Sequence, residues 1–343
     1  MLRVLRKFGG NARALATVFT SSVPLLIIGG LLYAGLFVKA EARIQKVDPP
    51  AIERRDNFFG LTLVDEKVVW AVGSTGKIVR SEDGGTSWVR QDSGINVNLM
   101  SIAAWDSQSA VAVGNGGAIR YTHDGGRSWV AANVPASDHP SKFLRVRIAD
   151  DNAWVVGEFN AMLRSADRGK TWQRVLDAED RGLNDIAFVG KNGWAVGEFG
   201  SVLLTSDGGA TWNSVETANK VSLMSVAFRD ASHGVSVGLT GTLLTTRDGG
   251  QHWNVVAGLT REHFFQVIWD EDRWLAIGDK GVVATADADA GKWTVGRVMP
   301  GDVAWRTQVV KAGERYVLAG MNLAAIEEGR FAAGATSSEG ARK

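Results

Sequence analysis

Cysteine is absent from the 343 residues. Disulfides and thiolate-held zinc or iron–sulfur centres are therefore excluded. Only three tyrosines occur, so a phenolic nucleophile could only be Tyr33, Tyr121 or Tyr316. An excess of one charge is also missing: 38 Lys and Arg face 37 Asp and Glu. The resulting +1 gives no global electrostatic case for nucleic-acid binding. The histidines, His123, His139, His233, His252 and His263, show no metal-ligand spacing, so neither a metal nor another cofactor is expected. Prolines are few, and no G-X-Y period accompanies the 41 glycines, so the chain is not collagen-like.

Long apolar runs are lacking with one exception. Residues 14–38 carry no charge over 25 positions, enough for a helix to cross a hydrocarbon core of about 30 Å. That run is too long for the apolar region of a cleaved signal peptide, although "VKA" (38–40) resembles a cleavage site. The expectation is an uncleaved transmembrane signal anchor over 14–38, behind a cytoplasmic tail, 1–13. A linker, 39–56, would follow, with the bulk of the chain in the periplasm. Basic residues flank both ends in nearly equal number (Arg3, Arg6, Lys7 and Arg13 before; Lys39, Arg43, Lys46, Arg54 and Arg55 after), so orientation rests on translocation of the long folded part.

What is abundant is repetition. "SEDGGTSW" (81–88) returns as "THDGGRSW", "SADRGKTW", "TSDGGATW" and "TRDGGQHW", with a damaged copy, "ADADAGKW", at 286–293. The closing tryptophans, Trp88, Trp129, Trp172, Trp212, Trp253 and Trp293, are 40 to 43 residues apart. Ahead of each copy stands a "WAVG"-like run, anchored at Gly73, Gly114, Gly157, Gly197, Gly238 and Gly278. A seventh such run, at Gly320, has no octet after it. A third apolar element, such as "NFFGLTLV", opens each unit. All three elements are short, β-branched or aromatic, and bounded by turn residues.

Four strands per unit at this period specify an all-β, seven-bladed β-propeller, expected over 57–334 with a disordered tail, 335–343. One sheet cannot bury both faces; radial stacking does. In the octet, Asp83, Asp124, Asp167, Asp207 and Asp248 close the turn through backbone N–H groups, and the tryptophan packs on a neighbouring sheet. The seventh blade lacks an octet. Its outer strand is expected from 329–334 or from Lys46–Arg55, the latter only at an edge because of Pro49 and Pro50.

The octet is similar to the Asp-box, or BNR repeat, of sialidases and other bacterial propellers. The fuller pattern "WAVGxxGxIxxSxDGGxTW", over residues 57–331, resembles the photosystem II stability/assembly factor family. The resemblance implies a seven-bladed propeller on a lumenal or periplasmic membrane face, without enzymatic activity. It implies binding to an inner-membrane protein complex as an assembly or accessory factor, of photosystem type or of export-transporter type.

Positions that vary within the repeat are the candidate partner contacts. The fourth position of each first strand reads Gly60, Ser101, Arg145, Asp185, Ser225, Gln266 and Arg306. Residues after the anchoring glycines include "GEF" twice, placing Glu158 and Phe159, then Glu198 and Phe199. Together with Arg147 these make the expected partner surface: Arg145, Arg147, Glu158, Phe159, Glu198, Phe199 and Arg306. The long connection 133–143 is a further candidate. Two alternatives are a sialidase-like glycoside hydrolase, needing a Tyr–Glu pair and an arginine cluster, and a glycan or small-ligand binder with exposed tryptophans.

Overall fold

The computed structural model describes the backbone of residues 8–37, 50–137, 141–327 and 332–333, and the side chains of all these except 8–22 and 332–333. The chain divides into two units, 1–49 and 50–343.

In the first unit a helix spans Phe8–Phe37, with Pro24 inside it. Among the described residues no helix is long and apolar enough to cross a membrane. The expected transmembrane helix over 14–38 is thus not supported by the structure. Residues 1–7, 38–49 and 334–343 lie outside the described residues, and with them the expected tails and most of the linker.

The second unit is a ring of seven antiparallel sheets. First strands run Phe58–Val64, Leu99–Ala104, Phe143–Ala149, Leu183–Val189, Leu223–Phe228, Phe264–Asp270 and Arg306–Ala312. They stand side by side around an axis, and that of blade 7 meets that of blade 1. Each seam between blades holds one apolar cluster; that of the 7/1 seam joins Phe58, Val69 and Ala71 to Val317 and Ala319. Residues 50–56 belong to this unit rather than to a linker. Ile52 packs into the 7/1 seam, and buried Lys77 pairs with Asp56 at 2.8 Å.

The anchoring glycines are explained by close approach. Their backbones are extended, but a Cβ at Gly73 would lie 2.0 Å from the Asn57 carbonyl oxygen, and one at Gly278 1.9 Å from that of His263. Each glycine lets its second strand pass under the entry to the first.

Blades 1 to 5 have four strands; among the described residues blade 7 has three. The segment expected to complete it goes elsewhere: Ala332–Ala333 pairs with Gly296 and Arg297 of blade 6 as a fifth strand. The outer strand there, Trp293–Arg297, is longer than the two or three residues of the others and offers more edge. Residues 50–55 form no strand.

Candidate functional site: hub, octet face and loop face

Antiparallel order sorts the loops onto two faces. The octets and the turns between first and second strands share one face. The loops after the anchoring glycines and the blade-to-blade connections share the other.

At the hub, side chains from one blade accept backbone N–H groups of the next. Ser101 Oγ accepts from Val146 (3.1 Å), Asp185 Oδ2 from Val226 (3.3 Å) and Ser225 Oγ from Val267 (3.3 Å). Gln266 Oε1 accepts from Val309 (2.6 Å), and Gln308 Oε1 closes the ring on Leu61 (2.5 Å). Five of the seven seams are bridged in this way. Gly60 has no side chain to give; its Cβ would stand 2.7 Å from Ser101 Cα. In blade 3, Arg145 pairs with Asp185 at 3.4 Å instead.

The polar ring therefore contains Gln308, not Arg306. Gly320 pairs with Arg306, just as Gly73 pairs with Phe58, so the seventh first strand starts two residues later than expected. Arg306 occupies the slot held by Phe58, Leu99 or Phe264 in other blades. It is 2% exposed and bound to Asp302 (3.1 Å) and Asn322 (2.9 Å). Its expected role on a partner surface is corrected by this burial. Arg145, 7% exposed, is likewise a hub residue; burial pushes its guanidinium down to about 10, partly offset by Asp185. Burial would raise the Asp185 carboxyl, but Arg147 and Arg145 outweigh it and hold it below its ordinary value. Arg147 reaches Asp185 at 3.1 Å and stays one-third exposed. It lines a funnel of 580 Å³ on the octet face with Ile148, Ile268, Trp269 and Lys311.

Each octet is both a turn and a staple. Asp83 Oδ1 accepts from the N–H groups of Thr86 and Ser87, and the Ser87 hydroxyl donates to Oδ2 (2.6 Å). Buried Ser81 accepts from Gly85 N–H. The same bonds recur around Asp124, Asp167, Asp207 and Asp248, with His252 Nδ1 replacing the hydroxyl in the last. Each second glycine then touches the preceding blade. A Cβ at Gly209 would sit 2.2 Å from Trp154, one at Gly250 3.0 Å from Trp194, and one at Gly85 2.8 Å from Val317. Trp129 and Trp172 are buried; Trp88, Trp212 and Trp253 are half-buried. Trp129 and Trp70, from adjacent blades, share Gln91 Oε1 at 3.1 and 3.2 Å.

The loop face carries the protruding apolar side chains. Among the described residues, the well-exposed large apolar side chains of this unit lie on it, as do Val97, Phe159, Phe199, Val303 and Met321, or on outer strands. At its axis is a well of 110 Å³ walled by Phe59, Met100, Leu144, Met224 and Phe265, with Arg145 beside them. In the "GEF" loops, Glu158 Oε2 accepts from Lys142 N–H (3.0 Å) and Glu198 Oε2 from Gly182 N–H (2.8 Å). The carboxylates tie their loops down, leaving Phe159 36% and Phe199 65% exposed. Residues 138–140 of the long connection lie outside the described residues.

The three tyrosines are scattered. Tyr33 is in the helix, and Tyr121 lies beside His123. Tyr316 is buried and hydrogen-bonded to Asp270 and Arg273; burial first, then Asp270, pushes it up to about 12. Among the described residues no cluster of His, Cys, Asp or Glu could hold a metal ion. Sequence reasoning missed Gln308, Gln91 and the segment 177–182; the 14 positions from Arg306 to Gly320, against 12 or 13 in the other blades, were the available signal for the first.

The family model described as photosynthesis system II assembly factor YCF48 matches residues 91–181 and 211–304. No curated protein sequence matches the chain. Similar solved structures include YCF48 bound to D1 peptide (15% identity, 80% of this chain, 92% of that one, TM-score 0.64). YCF48 from Cyanidioschyzon merolae is similar at 14% identity, over 81% and 97% of the chains, with a TM-score of 0.65. An ancestral GH74 enzyme is similar at 13% identity over 78% of this chain but 44% of its own, with a TM-score of 0.63. At these identities the structures establish the fold alone.

Proposed function

This chain belongs to the photosynthesis system II assembly factor YCF48 family, and from that premise we propose that it is a non-catalytic scaffold. Its loop face docks on a polypeptide segment of an inner-membrane protein complex during assembly or operation, of photosystem or export-transporter type. The observation that carries this reading is the asymmetry of the wheel. Exposed Phe, Val and Met side chains surround an apolar axial well on one face, while the octets occupy the other. Apolar side chains grouped on one surface suit protein recognition. A YCF48 structure that holds a D1 peptide supports a polypeptide as the ligand.

Arg147, Glu158, Phe159, Glu198 and Phe199 reach a surface; Arg145 acts from inside the well, and Arg306 only through the packing of blade 7. A buried, doubly hydrogen-bonded Tyr316 makes a poor nucleophile, which favours a scaffold over a glycosidase. The apolar run 14–38 is assigned as an anchor with the propeller in the periplasm. Anchoring confines the wheel to the membrane surface and raises its effective concentration near membrane partners.

A photo-crosslinking residue at Met321 or Met100, on the loop face, should capture a membrane subunit in native membranes. The same probe at Ser128 or Thr211, on the octet face, should not. Capture from the octet face alone overturns the docking assignment. Extraction of the full chain by alkaline carbonate would remove the anchor.

A further inference from the structure

Resting on that reading, we propose that blades 3 and 4 form the specificity sector of the loop face. Its ligand is a polypeptide segment in which apolar side chains alternate with lysine or arginine. The sector is framed by the two exposed rings. Phe159 and Phe199 sit at φ 55 and 56, a region bulky side chains rarely adopt. Blade 2 has Gly116 at the same slot, at φ 65. The turn therefore needs no ring, and two successive blades nevertheless carry one.

The segment 177–182 lies between the two rings and is bonded to both loops. Glu179 N–H donates to the Phe159 carbonyl (3.4 Å), and Asn160 Nδ2 to that of Asp177 (3.0 Å). On the other side, Glu198 N–H donates to the Gly182 carbonyl (2.9 Å). The surface from one ring to the other is thus continuous. It carries Glu158, Asp177, Glu179, Asp180 and Glu198 against Lys142 and Arg181, five carboxylates to two cations, a net charge of −3. Arg181 is already paired with Glu179 at 3.0 Å. Elsewhere on this face several opposite charges are paired: Lys77 with Asp56, Arg297 with Glu262 and Arg306 with Asp302. Two apolar anchors flanking an unbalanced acidic ridge complement a cationic segment with apolar anchors of its own.

The test uses the full chain and two labelled peptides, one of alternating leucine and lysine, the other of alternating leucine and glutamate, read by fluorescence anisotropy. The lysine peptide should bind roughly tenfold tighter, with the advantage shrinking as salt is raised. Phe159→Gly with Phe199→Gly should cut its affinity about tenfold. Those two changes relieve positive φ, so the variant should melt no lower than the wild type. Glu179→Lys with Asp180→Lys should reverse the charge preference. Equal binding of both peptides, a stronger glutamate peptide, or unchanged affinity in the double glycine variant overturns the sector. If loop-face crosslinking persists while these effects are missing, the docking reading stands and only its placement in blades 3 and 4 falls.

Discussion

Blades 1 to 5 carry intact octets; blades 6 and 7 do not. Every octet leans on the preceding blade, so five seams, from 7/1 to 4/5, are stapled at the octet face. The 5/6 and 6/7 seams are held there by side-chain polar contacts instead. At 5/6, Arg229 of blade 5 donates to the Ala288 carbonyl in the damaged octet (2.6 Å) and lies over Trp269. At 6/7, Tyr316 of blade 7 bonds to Asp270 and Arg273 of blade 6, and Lys311 pairs with Glu271 at 3.0 Å. The octet is thus one solution to a general need. A seam must be closed at its outer half, where blades diverge and the hub's hydrogen bonds no longer reach.

The most damaging test of this contrast places a methyl group in a staple. Gly209→Ala should cost about 3 kcal/mol, since the new Cβ meets Trp154 at a φ of +86. Its neighbour Gly208, at φ +77 with open space around it, should cost about 1 kcal/mol as alanine. Chemical denaturation of both variants separates the steric part from the conformational part. Equal losses would mean the staple bears on nothing.

Tyr316→Phe attacks the octet-free 6/7 seam. It strips buried Asp270 of a hydroxyl partner and should cost about 2 kcal/mol by the same measurement. A loss well under half of that would show that apolar packing, through Val309 and Leu318, closes this seam alone. Thr122→Ala is expected to be milder, about 1 kcal/mol: it orphans the Gly126 N–H and removes the hydroxyl's own bond to Asp124, while the two bonds from Ser128 to Asp124 survive.

The smallest effect is a pH dependence confined to stapled blades. Asp83 and Asp124 are drawn down to about 2, first by the hydroxyls of Ser87 and Ser128. Asp248 also ends at about 2, because the hydrogen bonds from His252 outweigh its partial burial. A carboxyl depressed on folding contributes stability that is complete above its ordinary value of 3.8 and is lost as pH falls through 2. Melting temperature should therefore decline between pH 4 and 2. Replacing these three aspartates by asparagine should flatten that decline; an unchanged acid limb would place the sensitivity elsewhere.

Much of this was open to reading along the chain. Bonding within an octet spans seven residues, from Ser81 to Ser87, and the same residue types recur at the same offsets. The anchoring glycines mark a backbone approach repeated seven times. The partner surface was less legible. Arg145 and Arg306 occupy variable polar positions of the kind expected to face solvent, yet both are buried. Nothing local distinguishes an arginine that greets a partner from one that pairs with Asp185 or Asp302. The charge of Glu158 and Glu198 is legible along the chain, but not that their carboxylates hold down the loops that display Phe159 and Phe199.

The order of residues alone determined the number of blades, the strand alternation and the octet turn, since each depends on groups a few bonds apart and repeats with the period of the chain. Register at the seventh blade, the relay of hydrogen bonds around the hub and the choice of which arginines stay dry were decided by the closed ring. The relay and the Arg145–Asp185 pair join groups 40 or more residues apart, and Gln308 meets Leu61 from opposite ends of the propeller's sequence only when the circle is complete; Arg306 is held by the nearer Asp302 and Asn322 once the strand has taken its register.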